Sequence, residues 1–321
     1  MVMDKIAITM GDPSGVGPEI IVSLLSGLNN DQLNELVIIG NSQILNQANN
    51  LLGNKIDFNK INSHLEIIDV KSKFIEEVKP KLISRGGGEA AYRCFEKAIQ
   101  MGLNKEISAI VTAPLCKKAL HDAGHFYDGH TEILKKLTNA NETFMLLSGG
   151  LLNTVHVSTH LSLLNAIKTL ATERIIKTIE IVNQHFIKMY QKKPIIAVPG
   201  LNPHSGENGI FGDEEHKIII PAIEYCKNKS VKVFGPISPD TVFYRALNGE
   251  FDVVVALYHD QGHIPTKLIS FEESVNVTLG TPLVRTSVDH GTAHEIAWEG
   301  KASSKNLLAA INYAKKMIRF Q

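Results

Sequence analysis

Short apolar runs rich in β-branched residues recur along the chain, separated by stretches in which apolar positions fall three or four apart. Lys5-Ile6-Ala7-Ile8-Thr9-Met10, closed by Gly11-Asp12-Pro13, has the length and bounding residues of a strand. The same signature predicts strands at Leu36–Gly40, 65–70, 107–112, 154–158, 195–199, 231–234, 253–257 and Val275–Leu279. Helical spacing lies between most of them. Pro18 opens one helix, with Ile20, Ile21, Leu24 and Leu25 on a common face. Others are predicted over 89–103 and over 173–190, the latter with Ile175, Ile179, Val182, Phe186 and Tyr190 as its apolar stripe. Ser238-Pro239 starts a further helix that runs through about Leu247. Strands alternating with helices predict an α/β fold with a largely parallel sheet. No repeat sets a domain boundary, and the Gly/Pro-rich stretches 113–130 and 199–213 read as active loops rather than linkers.

Composition narrows the function. The chain has 321 residues, enough for roughly two domains or one large α/β unit. Lys plus Arg and Asp plus Glu are both 33, so a basic nucleic-acid surface is not expected. No apolar run is long enough to span a bilayer. The N-terminus, residues 1–10, lacks the apolar core and cleavage site of a signal peptide. Three cysteines without a CxxC pair suit a reducing compartment, so a cytoplasmic protein is expected.

The chemistry gathers where strands end, which is where open parallel sheets bind ligands. Met10-Gly11-Asp12-Pro13-Ser14-Gly15-Val16-Gly17-Pro18-Glu19 is a Gly-rich strand-to-helix turn, readable as an anion cradle or as a tight turn that seats the first helix. It matches neither GxGxxG nor the P-loop. After Val111-Thr112-Ala113-Pro114, the Gly129-His130-Thr131-Glu132 block places His130 and Thr131 at a helix start, where backbone N–H groups favour an anion; the alternative is that Thr131 caps the helix. His160, His204 and His259 each follow a strand. They could converge on a divalent cation with a position left open, or each could be a hydrogen-bonded loop residue. Lys267, Asn276 and Arg285 are polar groups in or beside apolar stretches, and a guanidinium suits bidentate phosphate or carboxylate binding. In Asp289-His290-Gly291-Thr292-Ala293-His294-Glu295-Ile296-Ala297, small residues at an apparent helix start would let a flat ring or ribose approach the backbone.

Taken together the blocks ITMGDPSGVGPE, VTAPL, GHTE, STHLSL, GLNPHSGE, GPISPDT, YHDQGHIPTK and NVTLGTPLVRTSVDHGTAHEIA resemble the 4-hydroxythreonine-4-phosphate dehydrogenase family of pyridoxal 5′-phosphate synthesis, in family order from residue 8 to about 297. The resemblance implies an isocitrate/isopropylmalate dehydrogenase-like fold, with two interleaved α/β subdomains within residues 1–321 and a central cleft. It implies NAD-dependent (or NADP-dependent) oxidation of 4-phosphooxy-L-threonine at its C3 hydroxyl, with loss of CO₂ to give 3-amino-2-oxopropyl phosphate. One divalent metal per site, Zn²⁺, Mg²⁺ or Co²⁺, is implied at His160, His204 and His259. Substrate contacts are implied at His130, Thr131, Lys267, Asn276 and Arg285, and cofactor contacts at Asp289, His290, Gly291 and Ala293. Lys267 is the first choice for proton acceptor and Asp260 the second. Family members are homodimers with the site at the subunit interface. One departure is Cys116-Lys117 after VTAPL, where the family usually has Asn-Lys. Cys116 is then either a small packed residue or part of the site lining.

Two other readings stand beside this one. Dehydrogenases of D-threonate or D-erythronate 4-phosphate share the motifs. A metal-dependent hydrolase or aldolase acting on a phosphorylated sugar would use the three histidines without NAD. A non-catalytic binding protein fits the many anion and metal groups poorly.

Overall fold

The computed structural model of the chain describes residues 5–320, so the first four positions of the N-terminus discussed above lie outside the described residues. In chain order the strands are β1 (Ile6–Thr9), β2 (Leu36–Gly40), β3 (Glu66–Asp69), β4 (Ala109–Thr112), β5 (Phe144–Ser148), β6 (Asn153–His156), β7 (Ile196–Pro199), β8 (Val233–Ile237), β9 (Val253–Ala256), β10 (Val275–Leu279) and β11 (Val284–Val288). The chain divides into two compact units, one of Met1–Thr143 with Thr281–Arg319 and the other of Phe144–Gly280 with Phe320–Gln321.

In the first unit the strand order is β3-β2-β1-β4-β11, every neighbour parallel. These strands are short and, β3 apart, buried along their whole length, the pattern expected where helices cover both faces. The helix Arg85–Leu103 supplies much of the core: Phe95, Ala98 and Ile99 meet Ala7, Val37, Ile39 and Ile110. It begins where Ser84 Oγ accepts from Gly87 N at 3.2 Å. Gly88 lets it approach the helix Lys117–Asp122 closely, since a Cβ there would stand 2.0 Å from the Ala119 carbonyl oxygen.

In the second unit the order is β10-β5-β6-β9-β7-β8. β10–β5 and β5–β6 are antiparallel, whereas β6–β9, β9–β7 and β7–β8 are parallel. Ala197 and Val254 pack with Leu152, Val242, Ala246 and Phe251. The fold is therefore the mostly parallel α/β arrangement expected from the alternation.

Three local expectations need correction. β5 and β11 were not predicted as strands. β11 reads Val-Arg-Thr-Ser-Val, and two of its buried polar residues have protein partners: Arg285 at Thr112, and Thr286 Oγ1 at the Ala310 carbonyl. The segment expected to open a helix near residue 292 forms turns instead, with Ala293 and Trp298 at positive φ. Thr131 does not cap its helix: the N-cap is Gly129 and the helix spans His130–Leu137. Among the described residues no helix is long and apolar enough to cross a membrane, and the cysteines are free, Cys94 and Cys226 buried and Cys116 half-buried at the N-cap of Lys117–Asp122.

Candidate active site

Within the first unit, parallel pairing of β11 with β4 sets Arg285 opposite Ile110. Its guanidinium is buried, and Nη2 donates to Thr112 Oγ1 at 2.7 Å. Burial pulls the guanidinium down to about 9, with Glu132 opposing the shift, so it stays cationic at neutral pH. His130, first residue of its helix, sets its ring edge-on to Phe95, with centroids 4.9 Å apart and planes at 88°. Burial and then the charge of Arg285 push His130 well below the ordinary histidine range, so the ring is neutral. Its Nε2 is buried without a hydrogen-bond partner. Thr131 follows in the first helical turn, where N–H groups lack intrahelical partners. A fixed cation, an orphaned imidazole nitrogen and a helix N-terminus together suit an anion.

The segment after β11 carries Asp289, His290, Gly291 and Ala293. Asp289 N donates to Asn306 Oδ1 at 2.7 Å, and His290 Nδ1 donates to the Gly291 carbonyl at 2.9 Å. A Cβ on Gly291 would meet nothing within 4 Å, so its backbone is open to a flat ligand. That openness fits a dinucleotide. The Gly11–Glu19 block is a tight turn in this structure: a Cβ on Gly11 would stand 2.2 Å from the Pro114 carbonyl, and one on Gly17 2.2 Å from that of Met10. Asp12 fills the turn, accepting from both Ser14 N and Ser14 Oγ.

Within the second unit, β6 ends at His156, and His160 follows on an exposed bend. His259 opens the helix His259–Ser270 rather than lying in a loop. The rings of His160 and His259 have centroids 6.2 Å apart. With metal–nitrogen bonds of about 2.1 Å, two imidazoles on one cation need centroids roughly 5 to 6.5 Å apart. His259 Nδ1 donates to Asp260 Oδ1 at 2.6 Å, leaving Nε2 as the lone-pair nitrogen. Asp260 is itself exposed. Donor chemistry and spacing thus fit a divalent cation at this pair.

Behind His259 lies a pair that sequence reasoning missed. His263 stacks on His259 with centroids 3.7 Å apart, and its Nδ1 lies 3.1 Å from His156 Nε2. His156 Nδ1 donates to the Met145 carbonyl at 3.3 Å, so its Nε2 must accept from His263. Burial holds both neutral, His156 down to about 4 and His263 to about 2. His263 falls four residues after His259, a helical spacing that becomes legible only once the helix is recognised.

His204 sits elsewhere in the second unit, on a turn of unusual conformation. From His204 to Asn208 five consecutive residues have positive φ, between 41° and 80°. Side-chain-bearing residues adopt that region singly and at a cost. The turn is held by Glu215, a buried carboxylate that accepts from Leu201 N and Asn202 N, both at 2.8 Å, and from Asn202 Nδ2 at 3.0 Å. Among the described residues no three His, Cys, Asp or Glu side chains are grouped to hold a metal, so His204 does not join His160 and His259 within one chain. Lys267 lies on the helix of His259, half-buried beside Phe271. Asn276, on β10, donates to Met145 Sδ at 3.2 Å, and its Oδ1 is buried without a partner.

The fold is α/β, with a corner suited to an anion and a histidine pair suited to a divalent cation. Residues 32–314 match the family described as pyridoxal phosphate biosynthetic protein PdxA. The chain belongs to that family. It is 45% identical to the D-threonate 4-phosphate dehydrogenase of Salmonella typhimurium, over 97% of this chain and 98% of that one. It is 38% identical to the 4-hydroxythreonine-4-phosphate dehydrogenase of Geobacter metallireducens, over 98% and 96%. The crystal structure of 4-hydroxythreonine-4-phosphate dehydrogenase from Klebsiella pneumoniae superposes with a TM-score of 0.84 at 40% identity, covering 98% of this chain and 99% of that one. A β-decarboxylating dehydrogenase from Thermococcus kodakarensis shares the fold alone, with a TM-score of 0.52 at 13% identity. The chain is accordingly an enzyme of the dehydrogenase class, and the hydrolase or aldolase reading falls away.

Proposed function

We propose that this enzyme oxidises the C3 hydroxyl of a four-carbon acid phosphorylated at C4, using NAD, and that the β-keto acid formed loses CO₂. The substrate expected from the family motifs is 4-phosphooxy-L-threonine. The observation that carries the reading is the buried Arg285 guanidinium acting on a neutral His130 whose Nε2 has no protein partner, an anion site in a chain whose named relatives are dehydrogenases of 4-phosphates. Arg285, His130 and Thr131 hold the phosphate or carboxylate, and that binding energy orients C3 for reaction. When bound, NAD would be the hydride acceptor, and a divalent cation held by the histidines would supply positive charge that favours ionisation of the hydroxyl. His160, His204 and His259 are the proposed ligands. Asp260 fixes the tautomer of His259, and Lys267, in its neutral amine form, is the proposed acceptor of the hydroxyl proton, with Asp260 the second candidate. Asn276 offers its amide to the substrate.

We further propose a homodimer in which one protomer provides His204 and the other His160 and His259. Its support is the exposed apolar surface of the second unit, where Leu161, Leu163, Leu164, Ile264, Leu268 and Phe271 all face solvent. The unpaired cysteines suit a cytoplasmic enzyme.

A second reading has one observation behind it: the relative named for D-threonate 4-phosphate is 45% identical, against 38% for the relative named for 4-hydroxythreonine 4-phosphate. The two substrates differ in carrying a hydroxyl or an ammonium at C2. Steady-state NADH formation from each, with and without a chelator and a panel of Zn²⁺, Mg²⁺ and Co²⁺, decides between them. Absence of NADH from both would sink the proposed reaction.

A further inference from the structure

The Gly11–Glu19 turn and the segment after β11 are tied at five points. Glu19 is 2% exposed and faces no cation in contact; its two carboxylate oxygens accept from Trp298 N at 3.1 Å and Gly300 N at 2.9 Å. The Trp298 indole donates to the Pro13 carbonyl at 3.1 Å. Val16 N donates to the Thr292 carbonyl at 3.0 Å. Ser14 Oγ gives its proton to Asp12, so it accepts from His294 Nε2 at 3.2 Å. Gly15 leaves no room between the two segments, because a Cβ there would stand 2.8 Å from the Thr292 carbonyl oxygen.

The tied segment is conformationally demanding. Ala293 and Trp298 both have positive φ, at 44° and 61°, a region costly for a residue with a side chain and most of all for a bulky one. Such a backbone persists only where its surroundings over-determine it. Buried carboxylates are expensive unless their hydrogen bonds are made; Glu19 makes both of its bonds across this joint, and Asp12 holds Ser14 through Oδ1 while its Oδ2 lies 3.9 Å from His294 Nε2. Neither is in the set assigned to substrate, metal or proton transfer.

We propose that Asp12, Ser14 and Glu19 are positioning residues for the nucleotide, locking the 289–300 segment in the conformation that receives NAD. This rests on the reading of Asp289, His290, Gly291 and Ala293 as cofactor contacts. A loop held in its binding form before the ligand arrives does not lose ordering free energy on binding, so loosening it weakens affinity for NAD and not for the phosphorylated acid. Trp298, the chain's single tryptophan, sits in the joint and reports its integrity by fluorescence.

The test titrates NAD into wild type, Glu19→Gln, Ser14→Ala and Gly291→Val, following Trp298 emission and calorimetric heat, with thermal melts as the control for folding. Glu19→Gln keeps size but puts an amide NH₂ against one of two N–H donors. It should shift Trp298 emission to longer wavelength and raise the NAD dissociation constant about tenfold or more. The KM of the phosphorylated acid at saturating NAD should move less than about threefold. Ser14→Ala, the milder variant, should act in the same direction and carries the test should Glu19→Gln not fold. Gly291→Val fills open space, so it should fold normally and lose NAD binding. Wild-type NAD affinity in folded Ser14→Ala and Glu19→Gln, with affinity lost in Gly291→Val, would overturn the positioning role and leave the cofactor segment standing. Wild-type affinity in all three would overturn both.

Discussion

Arg285 Nη2 and Thr112 Oγ1 are 2.7 Å apart, joining β11 to β4 through side chains as well as backbone. The buried guanidinium donates to Thr112 and feels the charge of Glu132, and in the proposed site an anionic substrate adds a direct charge-assisted contact. Arg285→Ala should therefore raise the KM of the phosphorylated acid about 10- to 100-fold, the worth of one or two charge-assisted hydrogen bonds. Arg285→Lys should recover only part of it, because a point charge lacks the fork. An unchanged KM in Arg285→Ala would remove Arg285 from the anion site.

Asp260 holds His259 through Nδ1 and so directs Nε2 outward. Losing such a partner commonly lowers metal affinity about 10- to 100-fold. Asp260→Asn should do so in competition titrations against a chelating dye. Full metal affinity with loss of turnover would instead make Asp260 a proton acceptor. His204→Ala should abolish metal binding and turnover while leaving the thermal melt close to that of wild type; persistence of full activity would end the metal assignment.

Periodicity made the parallel frame legible because most strands are continuous apolar runs flanked by turn residues. β11 escaped it. Arg285, Thr286 and Ser287 read as surface residues, and the folded partners of the first two at Thr112 and Ala310 help reconcile them with burial. The motif blocks supplied the candidate site residues by resemblance, and proximity of His160 to His259 follows from strand order, since β6 and β9 are neighbours. What the sequence could not display was the support beneath them. His156 and His263 meet only after β6 has paired with β9, and Glu19 reaches Trp298 across 279 positions of the chain. Likewise the left-handed run at His204 depends on Glu215, whose grip on Leu201 and Asn202 no local propensity encodes.

Glu89 gives the first unit an acid-sensitive joint. It is buried on the helix Arg85–Leu103, accepts from Arg93 Nε at 2.8 Å and pairs with His125 Nε2 at 2.6 Å, while Tyr92 stacks on His125. Burial alone would raise its carboxyl pKa, but the hydrogen bonds from His125 and Arg93 outweigh it and hold Glu89 below the usual carboxylate value of 4.5. A carboxyl depressed in the folded state stabilises fully above its unfolded pKa, and that contribution fades as pH falls through the folded one. Urea midpoints should fall from pH 5 to pH 3 more steeply in wild type than in Glu89→Gln, with the variant about 2 kcal/mol less stable at pH 7. Parallel pH profiles would show that Glu89 does not contribute.

The exposed apolar surface of the second unit offers the sharpest test of assembly. Ile264 and Leu268 are four apart on the outer side of the helix that carries His259, and Leu268 is 82% exposed. Its inner side, with Gln261, His263 and Thr266, is buried. One helix thus presents apolar side chains to solvent within three turns of a candidate ligand. An apolar surface of this kind is what the proposed interface would cover, and a two-fold one would bring the same patch of both protomers together. Leu268→Asp should convert a dimer into a monomer by light scattering and lose metal affinity in the same variant, because His160 and His259 would then lack the partner's His204. Mixing inactive His204→Ala and His259→Ala protomers should restore activity to about one quarter of wild type, since half the dimers are mixed and each mixed dimer rebuilds one of its two sites. A fully active Leu268→Asp monomer, or no recovery on mixing, would confine the site to a single chain.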